Sequence, residues 1–307
     1  MSNLLHKYQN GNVAIEIFAD GTKIREWPDN EKPNVEWPES CDLKITQYCD
    51  MDAVCVYCHE MSNKQGKHGD LKLITSIWNS QLRGTELAIG GGNPLAHPGL
   101  SDFLQDMKIR GIICNVTVNM LHMKKHADEI RGYQQAKKIY GLGISYRGKN
   151  SLKMLPEDID YSNVVFHMIM GVHDLDDCLD VIEWCSARNI VPKLLLLGYK
   201  TFGNGVGYYS PELQVELDNW KNTYLKMLLA QNRHLVVSFD NLAIKQLDLK
   251  SQVPTQQWLD LYQGDDGEHT FYIDAVEQTV ARTSTSNERF PIKEHDDIRD
   301  LFRKVRL

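Results

Sequence analysis

Between residues 43 and 239, short apolar or β-branched runs alternate with stretches of helical spacing. The runs fall at 43–46, 87–89, 112–118, 139–145, 164–170, 191–197 and 235–239. Leu73, Ile74, Ile77 and Trp78 mark one intervening helix face within 71–82, and Leu100, Phe103, Leu104 and Met107 mark the next. Residues 123–136 are polar with helical character. Leu175, Cys178, Leu179, Ile182 and Cys185 form a later face, and 211–231 reads as one long helix. Such alternation implies a parallel sheet with right-handed crossovers. A partial β/α barrel is its natural closure, with chemistry at the C-terminal ends of the strands. The run 191–197 is apolar but for Lys193, as expected of a strand buried on both faces.

The flanks differ. Residues 13–18 alternate, Asp20-Gly21 turns and 22–27 resumes, the pattern of a β-hairpin. Residues 28–40 hold Pro28, Pro33 and Pro38 and read as an extended linker. In the tail, 263–268 is a turn, 270–273 and 278–281 are suited to pair as a hairpin, and 296–305 suits a closing helix. The expected units are therefore a hairpin and linker over 1–40, a barrel over 41–240 and an extension over 241–307.

The first strand of the repeat runs into Cys49, Cys55 and Cys58, a C-x5-C-x2-C spacing. Three thiolates on one loop suit a [4Fe–4S] cluster that keeps one iron open. The alternative is a closed zinc site, for which His59 is the nearest fourth ligand. The polar stretch 62–70 that follows reads as a solvated loop placed to act as a lid. Cys41, Cys114, Cys178 and Cys185 fit core thiols.

Strand, cysteine loop and Tyr57 immediately before the last cysteine resemble the radical S-adenosylmethionine (SAM) enzymes. The commonest spacing there is C-x3-C-x2-C, so this loop is two residues longer between its first and second cysteines. The wording around the loop also resembles uncharacterised radical SAM proteins carried by bacteriophages. The resemblance implies a partial (β/α)6 TIM-like barrel in which Cys49, Cys55 and Cys58 hold a [4Fe–4S] cluster. It also implies that SAM is cleaved reductively to a 5′-deoxyadenosyl radical that takes hydrogen from a substrate. An electron donor of flavodoxin or ferredoxin type goes with that chemistry.

Gly90-Gly91-Gly92-Asn93-Pro94 follows the second strand and resembles the family's Gly-Gly-Glu-Pro run, which binds the SAM amino group. Gly91, Gly92 and Asn93 are the SAM contacts implied there. Asn93 replaces a Glu, keeping an acceptor and losing a charge. By the same likeness Tyr57 lies beside adenine, Ser145 meets the ribose or carboxylate, and Leu197 packs on adenine. Arg147 is placed to meet the carboxylate, and His167 is a candidate ligand-site residue. The loop 199–207, with Lys200, Asn204 and three glycines, is a candidate anion binder.

The net charge of −7 disfavours broad nucleic-acid binding, and no 18-residue apolar run predicts a membrane span. Three clustered cysteines and no signal-peptide pattern point to the cytoplasm. No cysteine follows Cys185, which excludes an auxiliary cluster in the tail. That absence favours a small-molecule substrate, such as a nucleoside or nucleotide. The alternatives are a ribosomal peptide or protein substrate, seized by strand addition, and a zinc-bearing binding protein without catalysis.

Overall fold

The computed structural model describes residues 3–51, 55–78, 82–231, 234–262 and 264–306. The middle of the cysteine loop (52–54), part of the expected helix 71–82 and the start of the turn 263–268 lie outside these residues.

The chain is mixed α/β with a large parallel sheet. Three N-terminal strands, β1 (Leu4–Asn10), β2 (Val13–Phe18) and β3 (Lys23–Glu26), form an antiparallel sheet in that order. The expected hairpin is β2–β3. Strand β1 went unread because Leu4-Leu5-His6-Lys7-Tyr8-Gln9-Asn10 carries little alternation. The following linker is tied down: buried Asn10 donates to the Trp37 carbonyl (2.8 Å) and accepts from the Glu36 amide (2.8 Å). Val13, Ile15, Ile17 and Trp37 belong to the same apolar core as the main sheet.

The second sheet holds β4 (Ser40–Thr46), β5 (Glu86–Gly91), β6 (Ile113–Asn119), β7 (Gly141–Ser145), β8 (Val164–Ile169), β9 (Lys193–Leu197) and β10 (Val236–Phe239). It continues with β11 (Thr270–Asp274), β12 (Thr279–Ala281) and β13 (Phe290–Pro291), in the order β10-β9-β8-β7-β6-β5-β4-β11-β12-β13. Strands β4 to β10 run parallel to their neighbours. Among the described residues no ladder joins β10 to the opposite edge, so no closed barrel forms. The tail departs from expectation. Its hairpin, β11–β12, is present, but β11 also pairs parallel with β4, from Thr270–Ser40 to Asp274–Lys44. The tail therefore widens the main sheet on the side of the cysteine loop.

Alternation along the strands fixes which face does what. Cys41, Leu43, Leu87, Ile89, Cys114, Val116, Leu142, Ile144, Phe166, Met168, Leu194 and Leu196 are buried. Burial pushes the Cys114 and Cys178 thiols well up and Cys185 to about 12, consistent with inert core cysteines. The other face, including Asn119, Ser145, His167 and Leu197, is only part-buried. Strand β9 is thus not buried on both faces: Lys193, Leu195 and Leu197 lie on the open side.

The helices start where the sequence supplies acceptors for unpaired amides. Asp70 caps Leu71–Ser76, Asp174 and Asp177 form a capping box for Leu175–Ser186, and Ser210 caps Pro211–Asn219. The long helix expected over 211–231 contains a π turn, Trp220–Tyr224, before Leu225–Gln231. No helix among the described residues is long and apolar enough to cross a membrane.

Candidate active site

Strand β4 delivers the cysteine loop to the C-terminal edge of the sheet. The Cys49 amide donates to Asn63 O (2.9 Å), and Cys58 closes a turn onto Cys55 O (2.9 Å). The stretch 62–70 is knitted to this base rather than hanging free: Gln47 N donates to Lys67 O (2.8 Å), and the Thr46 hydroxyl meets His68 Nδ1 (2.9 Å). A Cβ on Gly66 would sit 2.1 Å from Gln47 O. Burial raises Cys49 to about 11, and charge on Cys55 and Cys58 adds to the rise. Burial also raises Cys55, against the pull of Arg147. Cys49 thus feels the charge of the other two loop cysteines, and a bound cation there would favour its thiolate.

The glycines at the end of β5 have a structural reason of their own. Gly91 has φ +111°, and a Cβ there would meet Thr46 O at 2.3 Å; one on Gly92 would meet Tyr48 O at 2.2 Å. They let β5 press against the chain entering the cysteine loop, an approach sealed by Gly92 N to Thr46 O (2.8 Å) and Asn93 N to Tyr48 O (2.7 Å). Only Gly90 faces open space. Asn93 is fully buried; its Nδ2 lies 3.5 Å from Asp50 Oδ1, and its Oδ1 has no partner.

Asp50, His122 and Asn119 were missed in the sequence. Asp50 Oδ1 lies 2.8 Å from His122 Nε2, and Oδ2 accepts from Lys125 (3.0 Å). Burial works against the Asp50 charge, but Lys125 and His122 outweigh it and hold the carboxyl at about 2. Cys49, Asp50 and His122 bring ligand atoms within 4.8 Å of one another. The Lys125 ammonium on the same carboxylate opposes a divalent ion there. Asn119, at the end of β6, caps the next helix through Leu121 N and reaches Cys55 Sγ at 3.6 Å. Its sequence signal was an Asn between a strand and a helix.

Arg147 follows β7 and turns toward the cysteines. It donates to Cys55 Sγ and to the Tyr57 hydroxyl, with its guanidinium 5.0 Å from the Tyr57 ring centroid. Tyr57 also meets Tyr208 edge-on at 5.4 Å. Ser145 pairs across the sheet with Asn119 on one side and His167 on the other. The His167 imidazole crowds Gly143, where a Cβ would come within 2.7 Å of Nε2, and burial lowers it to about 4, so it is neutral at pH 7. Leu197 ends β9 on this same open face.

The His59 side chain faces the tail. Its Nε2 lies 3.4 Å from both Glu60 and Lys200, and 3.5 Å from Ser284. The loop 199–207 clasps the last cysteine instead of presenting a free anion nest: Asn204 N donates to Cys58 O (3.1 Å), and a Cβ on Gly203 would lie 2.3 Å from His59 O. Lys44 bridges Glu60 (2.8 Å) and Asp274 (3.2 Å), and the Tyr272 hydroxyl donates to Glu60 (3.1 Å). The tail is thereby bound to the residue two places after Cys58. A cavity of about 1120 Å³ lies at the far, N-terminal ends of β8–β10, among Asp20, Tyr161, Lys193 and Val236, away from the cysteines. A smaller one of about 530 Å³ adjoins the loop after β9, among Lys200, Phe202, Tyr209 and Thr285.

No protein-family model and no curated protein matches the chain. Its fold is similar to that of SuiB from Streptococcus suis. One SuiB structure aligns over 100% of this chain and 90% of SuiB, with a TM-score of 0.63 and 12% identity. SuiB bound to S-adenosylmethionine aligns over 89% of this chain and 68% of SuiB (TM-score 0.62, 12% identity). SuiB bound to its precursor peptide SuiA aligns over 89% and 67% (TM-score 0.62, 13% identity). The chain thus has the fold of SuiB, and its cysteine loop stands at the C-terminal edge of that fold's parallel sheet.

Proposed function

We propose that the chain is a radical SAM enzyme that modifies a peptide. The observation that carries this is the gathering of the three loop cysteines with Arg147, Asn119 and the buried, half-satisfied Asn93 amide where parallel strands end. Cys49, Cys55 and Cys58 would hold the [4Fe–4S] cluster; the donor set fits, because three cysteine sulfurs on one loop supply the thiolates of a cluster that keeps one iron open. With SAM bound, the cluster supplies a radical able to take hydrogen from an unactivated carbon. The chain's own residues bind and orient. Gly90 leaves room on the open face, Asn93 offers a buried acceptor, Ser145 and His167 are neutral polar groups beside it, and Tyr57 and Leu197 offer apolar surface for adenine. In this reading the open sheet is a partial barrel of (β/α)6 type, residues 41–240, with 1–40 and 241–307 as additions to it.

A peptide substrate is preferred over the nucleoside suggested by the lack of cysteines after Cys185. SuiB, of the same fold, is seen bound to its precursor peptide. The open sheet leaves one side of the site unwalled, as an extended substrate requires. A flavodoxin- or ferredoxin-type protein would deliver the electron, in the cytoplasm. The test is anaerobic reconstitution with iron and sulfide, then SAM and dithionite, scored for 5′-deoxyadenosine with peptide and nucleoside panels. Slow release without substrate and acceleration by peptides is expected. No release from cluster-loaded protein overturns the enzyme reading, and acceleration by nucleosides alone overturns the peptide assignment.

A further inference from the structure

We propose that Asp50, the residue after the first cysteine, supplies the negative charge that meets the α-ammonium group of SAM, with Asn93 as the neutral acceptor beside it. The inference rests on the radical SAM reading and assigns one end of its cofactor site.

The residues require a particular kind of ligand. Asn93 is completely buried, yet its Oδ1 accepts from nothing. A buried amide oxygen without a donor is costly, so this position favours a ligand that brings N–H groups. The Nδ2 of the same amide is turned to Asp50 Oδ1 (3.5 Å), which leaves Oδ1 as its outward acceptor. A carboxylate next to that acceptor makes a donor with positive charge the best match. A primary ammonium has both properties, with three donors to spend on the two groups. Cys49 Sγ lies within 4.8 Å of the nearest Asp50 and His122 ligand atoms, so an ammonium held here stands against the iron-binding loop.

Asp50 is built to stay in place. His122, itself buried, lies 2.8 Å from Oδ1, and Lys125 holds Oδ2 at 3.0 Å. Lys125 is mostly exposed, so water screens much of its charge. A carboxylate offers about four acceptor positions, and the Asn93 amide, leaning in at only 3.5 Å, holds one weakly enough for an incoming ammonium to take. A charged group at position 93 is then unnecessary: the charge sits one residue past Cys49 and the amide at 93 relays it.

The test uses iron-loaded protein and measures SAM affinity by equilibrium dialysis, with iron content checked in each variant. Asp50→Asn should weaken SAM binding by about tenfold or more, the scale of one charge-assisted hydrogen bond. The double variant Asp50→Asn/Asn93→Asp returns the charge to the same pocket and should recover most of the affinity. An analogue of SAM lacking the α-amino group should bind wild type weakly and Asp50→Asn no more weakly than wild type. Wild-type SAM affinity in Asp50→Asn, unchanged preference for SAM over the analogue, or loss of iron together with SAM would each overturn the assignment. If wild type loads iron but binds no SAM, the radical SAM reading itself fails.

Discussion

The Arg147 guanidinium donates to Cys55 Sγ while lying 5.0 Å from the centroid of the Tyr57 ring, so one cation touches both Cys55 and Tyr57 ahead of Cys58. Asn119 approaches the same sulfur at 3.6 Å from the adjacent strand end. Hydrogen bonds to cluster sulfurs, and positive charge nearby, stabilise the more negative reduced state. Arg147→Met should therefore lower the midpoint potential of the reconstituted cluster by roughly 60 mV, a tenfold change in a one-electron equilibrium. Arg147→Lys keeps charge without the planar fork and should fall between. A potential unchanged in Arg147→Met, read by spectroelectrochemistry, would show that Arg147 leaves Cys55 when iron binds.

Cys49, Cys55 and Cys58 differ from the other four thiols in place as well as spacing. Cys41, Cys114, Cys178 and Cys185 are buried in the apolar core. Anaerobic reconstitution should give about four irons per chain, the cubane stoichiometry. Triple replacement of the loop cysteines by Ala should abolish iron binding, and Ala at any single core cysteine should leave it unchanged. A brown, four-iron triple variant would place the metal elsewhere, and a colourless wild type holding zinc would restore the binding-protein alternative.

The strands were legible because β-branched and apolar runs bounded by turns carry their own signal, as at 112–118 and 164–170. The place of β11 was not. Thr270-Phe271-Tyr272-Ile273 reads as a strand, but its pairing with Ser40–Leu43 joins residues some 230 positions apart, and no local pattern encodes that register. The glycines at 91 and 92 were legible as necessary, but their packing on Thr46 and Tyr48 was not, because a backbone pressed on backbone and a backbone pressed on a ligand need the same residue. Asp50 and His122 were overlooked because neither an Asp beside a cysteine nor a lone His in the short run Met120–Met123 signals a partner until the fold brings them to 2.8 Å.

Lys44 joins the cysteine loop to the tail through Glu60 and Asp274, with all three side chains nearly enclosed. Removing Lys44 takes the nearest cation from both buried carboxylates and leaves Glu60 with Tyr272 and His59, and Asp274 with two backbone amides and Arg289, which costs up to about 3 kcal/mol. Lys44→Met should lower the denaturation midpoint accordingly and expose the tail beyond β10 to limited proteolysis. Lys7→Ala, which breaks an exposed pair with Glu16, should leave the midpoint unchanged. Equal effects of the two changes would mean that the tail is not held through Lys44.

Acid should destabilise the chain through His173. Its Nδ1 accepts the Ile169 amide (2.8 Å), and burial, aided by Arg147, lowers it to about 4. In the unfolded chain it titrates near 6.5, so between pH 6.5 and 4 the unfolded state binds more protons. Stability therefore falls as pH drops through 6.5, and the loss levels off below 4, at about 3 kcal/mol for this residue. His173→Asn retains an acceptor and cannot titrate. Its urea midpoint should fall less between pH 7 and 4 than that of wild type, and parallel profiles would count against the assignment.

Asn93 ties these observations together. It is fully buried, its backbone amide bonds Tyr48 O, and its side-chain amide leans on Asp50. Asn93→Ala removes the unpaired acceptor and the contact to Asp50, and should weaken SAM binding to iron-loaded protein by about 1–2 kcal/mol, the scale of one buried hydrogen bond. Asn93→Asp supplies the missing charge, yet it sets two carboxylates about as close as Asn93 and Asp50 now stand. Like charges at that distance resist joint ionisation. Asn93→Asp should therefore be less stable than wild type before SAM is added, with the deficit growing from pH 5 to pH 8 as the shared proton is lost. Adding Asp50→Asn to it should remove both the deficit and its pH dependence. Thermal melts of the four proteins across that range decide the matter: an Asn93→Asp protein as stable as wild type at pH 8 would show that the two side chains part company in solution, and an Asn93→Ala protein with unchanged SAM affinity would show that this amide lies outside the methionine site.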